Sequence, residues 1–144
     1  MRKTLTTLTL LTFIGAVAVA LNPYKVQTLH AQLGGATLVL EVADTEALQS
    51  KGLSGRTALQ EGEGMLFVFP EDGQHGFWMK DMQFSIDIVW LDSSYRVVDV
   101  KKDATPVSYP EIFTPASPAR YVVEIPAGFF NEHHLKTGDT LEIL

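Results

Sequence analysis

The chain has 144 residues, 46% of them apolar and 19% charged, which is enough for one packed core and excludes a disordered polymer. It has no cysteine, so neither disulfides nor thiol chemistry is available. The net charge is −6, and beyond Ala31 eight Lys/Arg face 17 Asp/Glu for a net of −9; such an acidic domain repels a phosphate backbone, and no nucleic-acid partner is expected.

The chain opens on a positive stretch, Met1-Arg2-Lys3, followed by an uncharged apolar run from Thr4 to Leu21. Ala18-Val19-Ala20 directly after the run fits a signal-peptidase site, and Leu29-His30-Ala31 is a second, weaker one. Residues 1–21 therefore read as a signal peptide or an uncleaved N-terminal anchor, with a membrane tether through residues 4–21 in the second case. Either reading puts the domain outside the cytoplasm, in the periplasm or beyond. Residues 22–35 lack periodicity and read as a linker, leaving 36–144 as a single globular β-rich domain.

Within that domain Ala36 to Ala43 is β-branched and apolar, the expected first strand. Thr45 or Asp44 caps a short helix over Glu46 to Lys51, with Gly52 as its stop. Met65 to Phe69 is a second strand, expected to end in a turn at Pro70-Glu71-Asp72-Gly73. Ser85 to Leu91 and Tyr95 to Val100 read as a hairpin around Asp92-Ser93-Ser94. Asp103 to Ala119 is rich in Pro, Ser and Thr and reads as a long surface loop. Arg120 to Ile125 is another strand, Ala127 to His133 a short helix opened by Pro126, and Thr140 to Leu144 the last strand. The fold class expected is mainly β with two short helices (α+β), a compact β-sandwich or barrel.

Gly52-Leu53-Ser54-Gly55-Arg56, Gly64-Met65-Leu66-Phe67-Val68-Phe69, Phe77-Trp78-Met79-Lys80 and Ile86-Asp87-Ile88 occur in order and resemble the signature of domain-of-unknown-function family 192. Tyr121 to Gly128 and Gly138-Asp139 extend the resemblance, which runs from about Ala36 to Leu144. It implies a compact, mostly β fold and brings no reaction with it. The chain departs from that pattern at Asp81-Met82, where the family usually has Asn-Thr, and at Ser85-Ile86, where a Pro often precedes the Leu-Asp pair.

Asp87 stands inside the apolar run Phe84 to Trp90, where a carboxylate needs a partner; Arg56 and Lys80 are the expected ones, in a structural ion pair as the leading reading and at a ligand-facing or catalytic site as the alternative. Strand alternation sets Asp87 with Ser85 and Val89 on one face, and Ile86, Ile88 and Trp90 on the other. Glu124, within Val122 to Ile125, invites the same question. Together the two carboxylates would form the minimum pair for a hydrolase. Phe77 and Met79 should share a face with Trp78 on the other; core packing is the leading reading, and an aromatic platform with Lys80 beside it is the alternative.

The histidines carry no ligand spacing, and Ser54 lacks the full Gly-x-Ser-x-Gly elbow. No catalytic residue, metal site or cofactor is expected. The leading expectation is non-catalytic binding of a small ligand or an envelope protein in a cleft lined by Arg56, Trp78, Lys80, Asp87 and Glu124. The alternatives are a hydrolase using Asp87 and Glu124, and a protein-interaction module working through a sheet edge or the long loop.

Overall fold

Period-two alternation of apolar side chains dictates the strands, and turn residues separate them. The computed structural model describes residues 26–144. The signal or anchor segment expected at 1–21 lies outside the described residues. Seven strands form one sheet: β1 (Gln27–Leu33), β2 (Ala36–Ala43), β3 (Glu63–Gly73), β4 (Ile86–Leu91), β5 (Val97–Ala104), β6 (Ala119–Pro126) and β7 (Leu141–Ile143). Two short helices, α1 (Glu46–Lys51) and α2 (Phe129–Glu132), complete it.

The strand order is β5-β4-β6-β3-β2-β1-β7. Every pairing is antiparallel except β2 with β3. The fold is mostly β, as expected, and the single sheet curls into a half-barrel; two stacked sheets are not formed. Its two ends are stitched together. Val97 N–H donates to Asp139 O at 2.8 Å, and Leu141 N–H donates to Tyr95 O at 2.9 Å.

Apolar layers cover both faces, which is why all six residues of β4 are buried. On one face Leu38, Leu40, Val89, Leu91, Val123 and Ile125 pack with Phe129 and Phe130 of α2. On the other, Met65, Phe67, Ile88, Trp90 and Val122 pack under Leu48 of α1, Leu53, Phe77 and Met79. The helix α1 spans the expected residues, with Thr45 Oγ1 accepting from Leu48 N–H at 3.3 Å and Gly52 at its end.

Three local expectations are corrected. Gln27–Leu33, read as linker, is β1. Its Leu29, Ala31 and Leu33 pack on the α2 side of the sheet, and Gly34-Gly35 turns the chain into β2. Double glycine supplies the positive φ that a two-residue hairpin needs. Ala31 is therefore fully buried inside a strand, so cleavage there would cut the sheet. Second, Pro70 does not end its strand. β3 continues to Gly73 through an interruption of the β3/β6 ladder between Val68 and Gly73, where the missing proline N–H costs nothing. Third, Pro126 closes β6 and does not open α2, which begins at Phe129.

Candidate functional site

The two strand carboxylates are both buried, Asp87 to 1% exposure and Glu124 to 5%, but they lie on opposite faces. The β4/β6 register sets Asp87 opposite Ile125, and Ile88 opposite Glu124. Side chains alternate along each strand, so Asp87 joins the α2 side and Glu124 the α1 side. The sheet itself separates them. The expected hydrolase pair does not assemble.

Asp87 is scaffolding. Its Oδ1 accepts from Asp103 N–H at 2.8 Å and its Oδ2 from Phe130 N–H at 3.0 Å. The second bond replaces a cap. Gly128, the N-cap of α2, has no side chain to offer, and the Asp87 carboxylate reaches over from β4 to hold the first turn. The first bond fixes Asp103, whose φ is 48°. Neither Arg56 nor Lys80 serves as its partner, contrary to expectation. Two directed backbone N–H groups satisfy the carboxylate without a cation.

Glu124 has no such arrangement. Across the sheet its same-face neighbours are Met65 on β3 and Ile88 on β4. Its Oε2 is enclosed and makes no hydrogen bond. Desolvation pushes the carboxyl up to about 8, opposed only in part by the field of Arg56. Arg56 is itself held elsewhere, in a two-pronged pair with Glu41: Nη1 to Oε1 at 2.6 Å and Nη2 to Oε2 at 2.7 Å. That bonding, joined by the fields of Arg56 and Lys51, outweighs burial and holds the Glu41 carboxyl below its ordinary range. In the β2/β3 register Glu41 stands opposite Met65, which places it in the same row as Glu124, two strands away.

Glu124 lines a cavity of about 250 Å³. Phe67, Phe69, Phe77 and Trp78 contribute aromatic side chains to its walls, and Met82 adds a thioether. Gln49, Lys51 and Ser54 supply polar edges from α1 and the turn after it. Several hydrogen bonds set the walls. Gln49 Nε2 donates to Val68 O at 2.7 Å, docking α1 on β3. Trp90 Nε1 donates to His75 O at 2.9 Å, holding the segment that leads into Phe77. Ser54 Oγ donates to Lys80 O at 3.0 Å and ties together the loops that carry these two residues. The rings brace each other: Phe67 meets Phe77 edge-on at 4.8 Å, and His75 stacks on Phe69 at 3.7 Å.

The expected alternation at Phe77-Trp78-Met79 is present. Phe77 and Met79 are buried, while Trp78 is 50% exposed at the cavity wall, its ring edge-on to Tyr109 of the long loop. Lys80 Nζ stands 5.9 Å from the Trp78 ring centroid. Of the five residues expected to share a cleft, Trp78 and Glu124 line the cavity. Arg56 acts on Glu124 through its field, Lys80 sits outside beside Trp78, and Asp87 is on the far face.

The sequence reading missed Gln49, Phe67, Phe69 and His75. Phe67 and Phe69 carried a usable signal, because alternation from Met65 aligns Met65, Phe67 and Phe69 on one side of β3. Nothing local marked Gln49 or His75, whose positions depend on packing across the sheet. Among the described residues no group of three or more His, Asp or Glu side chains converges to hold a metal ion.

The chain is similar to several proteins of known sequence or structure. A UPF0127 protein of Thermococcus gammatolerans is 33% identical over 107 residues, covering 71% of this chain. The match spans 64% of that relative's own length, less than two thirds. A UPF0127 protein of Pyrococcus abyssi is 32% identical over 108 residues, covering 72% of this chain and 84% of the relative. A protein of unknown function from Novosphingobium aromaticivorans, solved by crystallography, has a TM-score of 0.76 at 31% identity, covering 88% of this chain and 94% of that one. A crystallised protein of Sinorhizobium meliloti, described as a candidate transcription regulator, has a TM-score of 0.77 at 28% identity, covering 82% and 95%. The family model described as "Uncharacterized ACR, COG1430" matches residues 29–143. By that match and the solved fold, the chain belongs to the DUF192 family.

Proposed function

We propose that this domain is a non-catalytic binding module that takes a small ligand into the cavity over Glu124. One observation carries the reading: a buried carboxyl with an unpartnered oxygen faces a cavity walled by aromatic side chains. An enclosed polar atom left without a hydrogen bond costs on the order of 1–3 kcal/mol, and a ligand that satisfied it would recover that cost. At about 250 Å³ the cavity lies just below the usual range for drug-sized ligands, so its occupant is small. A fragment screen by ligand-observed NMR tests this. Fragments should bind the native chain and lose binding in Trp78→Ala, which removes a half-exposed wall while the fold persists. A screen whose hits all survive Trp78→Ala and Glu124→Gln would place binding elsewhere and end the reading.

Export belongs to the same proposal. The positive start, the apolar run and Ala18-Val19-Ala20 support a module that works in the cell envelope. A cut after Ala20 leaves β1 whole, whereas one after Ala31 removes most of it. Mass spectrometry of the mature N-terminus from an envelope fraction should find Leu21 first. Recovery of the intact chain in the cytosol alone would refute export.

A further inference from the structure

Resting on that binding reading, we propose that the cavity's ligand is a small organic ammonium ion, its charged end against Glu124 and its alkyl groups among Phe67, Phe69, Phe77 and Trp78. The argument begins with the charges around Glu124. Two cations stand near it on neighbouring elements, and both are engaged with other carboxylates. Arg56 is bound through both prongs to Glu41 and also feels Glu63. Lys51, at the end of α1, adds its field to Glu41. His75 stacks on Phe69, with Nε2 3.0 Å from Glu71 O. The cluster therefore holds three carboxylates, Glu41, Glu63 and Glu124, against the two full cations Arg56 and Lys51. Of the three only Glu41 has a cation in contact, and Glu124 is the one that is buried with an unpartnered oxygen.

The immediate surroundings of the Glu124 carboxyl suit a cation. Ionising this carboxyl alone is costly because Met65 and Ile88 flank it on the sheet. A ligand that brings its own positive charge supplies the missing partner, and aromatic faces attract alkylammonium groups through their quadrupoles. The volume corresponds to roughly eight waters at ~30 Å³ each, the size of a quaternary ammonium with a short tail.

A proton is linked to the binding step. The free site carries a neutral carboxyl up to about 8, and the ammonium complex carries the carboxylate, so the proton leaves to solvent as the cation enters. Apparent affinity should follow the ionised fraction of Glu124 and rise about 50-fold from pH 6 to pH 8.

Three probes of the same shape distinguish the outcomes: choline, its uncharged isostere 3,3-dimethylbutan-1-ol, and the anion 3,3-dimethylbutyrate. Each is titrated calorimetrically into the full chain at pH 6 and pH 8, in buffers of different ionisation enthalpy. Choline alone should bind, with the 50-fold pH dependence and close to one proton released per site at pH 6. Glu124→Gln, an isosteric change whose folding is checked by its melt, should abolish both choline binding and the proton release. Equal or tighter binding of the alcohol or the acid, or choline binding that ignores pH, overturns the ammonium assignment and leaves the cavity as a binding site. No heat from any probe at about 10 mM, where even millimolar affinity would register, removes the ammonium assignment, while the binding reading stands or falls by the fragment screen.

Discussion

Replacing Glu124 by glutamine keeps the shape of the side chain and removes its ability to ionise. The folded wild type holds the Glu124 proton up to about 8, whereas an ordinary glutamate releases it at 4.5. Between those values the native state binds a proton that the unfolded chain has lost, so native stability falls as pH rises. Below 4.5 both states are protonated and the stabilisation is complete; above about 8 both are ionised and it is gone. At ~1.36 kcal/mol per pH unit the whole window amounts to ~5 kcal/mol, an upper value because water entering the cavity solvates part of the charge. That is comparable to the net stability of many domains.

The glutamine variant has no such dependence. Its stability relative to wild type should therefore climb by ~1.4 kcal/mol for each pH unit between pH 5 and pH 7.5. Urea unfolding followed by fluorescence reads this directly, since Trp90 is 1% exposed when folded. Glu41, whose lowered value acts at acid pH, is common to both chains and cancels in the difference. Stability curves that run parallel from pH 5 to pH 8, within about 0.5 kcal/mol, would show that Glu124 is well solvated and that the account of the cavity floor is wrong.

Asp87→Asn keeps one acceptor and turns an amide N–H₂ toward a backbone N–H, so it should cost ~1–3 kcal/mol and speed hydrogen exchange at the Phe130 amide; exchange unchanged there would refute its role as the cap of α2. Gly64→Ala places a Cβ 2.6 Å from Glu124 O and 2.8 Å from Leu40 Cδ2, and should lose ~1–3 kcal/mol in urea unfolding, with a neutral result pointing to a looser β3/β6 seam. Arg56→Met strands Glu41, whose folded value is depressed. The pair's contribution, reduced to ~1 kcal/mol because solvent screens both partly exposed side chains, is present above pH 4.5 and lost as pH falls through the folded value, so thermal melts of variant and wild type should differ at pH 7 and converge in acid.

The strands, α1 and the burial pattern at Phe77 to Met79 were legible because each rests on local periodicity or a cap. β1 was equally legible, since Leu29, Ala31 and Leu33 alternate with polar residues ahead of Gly34-Gly35. Taken over the whole of 22–35 the alternation is diluted by Asn22 to Val26, which is why that stretch reads as aperiodic linker. The carboxylates were found as anomalies, but which face each one takes depends on the β4/β6 register, and register is a property of the pair of strands. Arg56 could not be matched to Glu41 from sequence for a related reason. The parallel β2/β3 crossover sets Glu41 beside the row that holds Glu124, and no local pattern encodes a crossover.

The stitched ends of the sheet bear on how the chain acquires its structure. β7 lies against β1, and the residues beside it bond to the turn that opens β5, so Leu141 and its neighbours tie the earliest described strand to the middle of the chain. Synthesis delivers this clasp after the other six described strands. Until it arrives β1 offers an open flank, where another polypeptide can add as a strand. Acquisition of the native state should therefore wait until β7 has emerged, and a bulky insertion immediately after Leu144 would hinder the clasp more than one placed ahead of Val26.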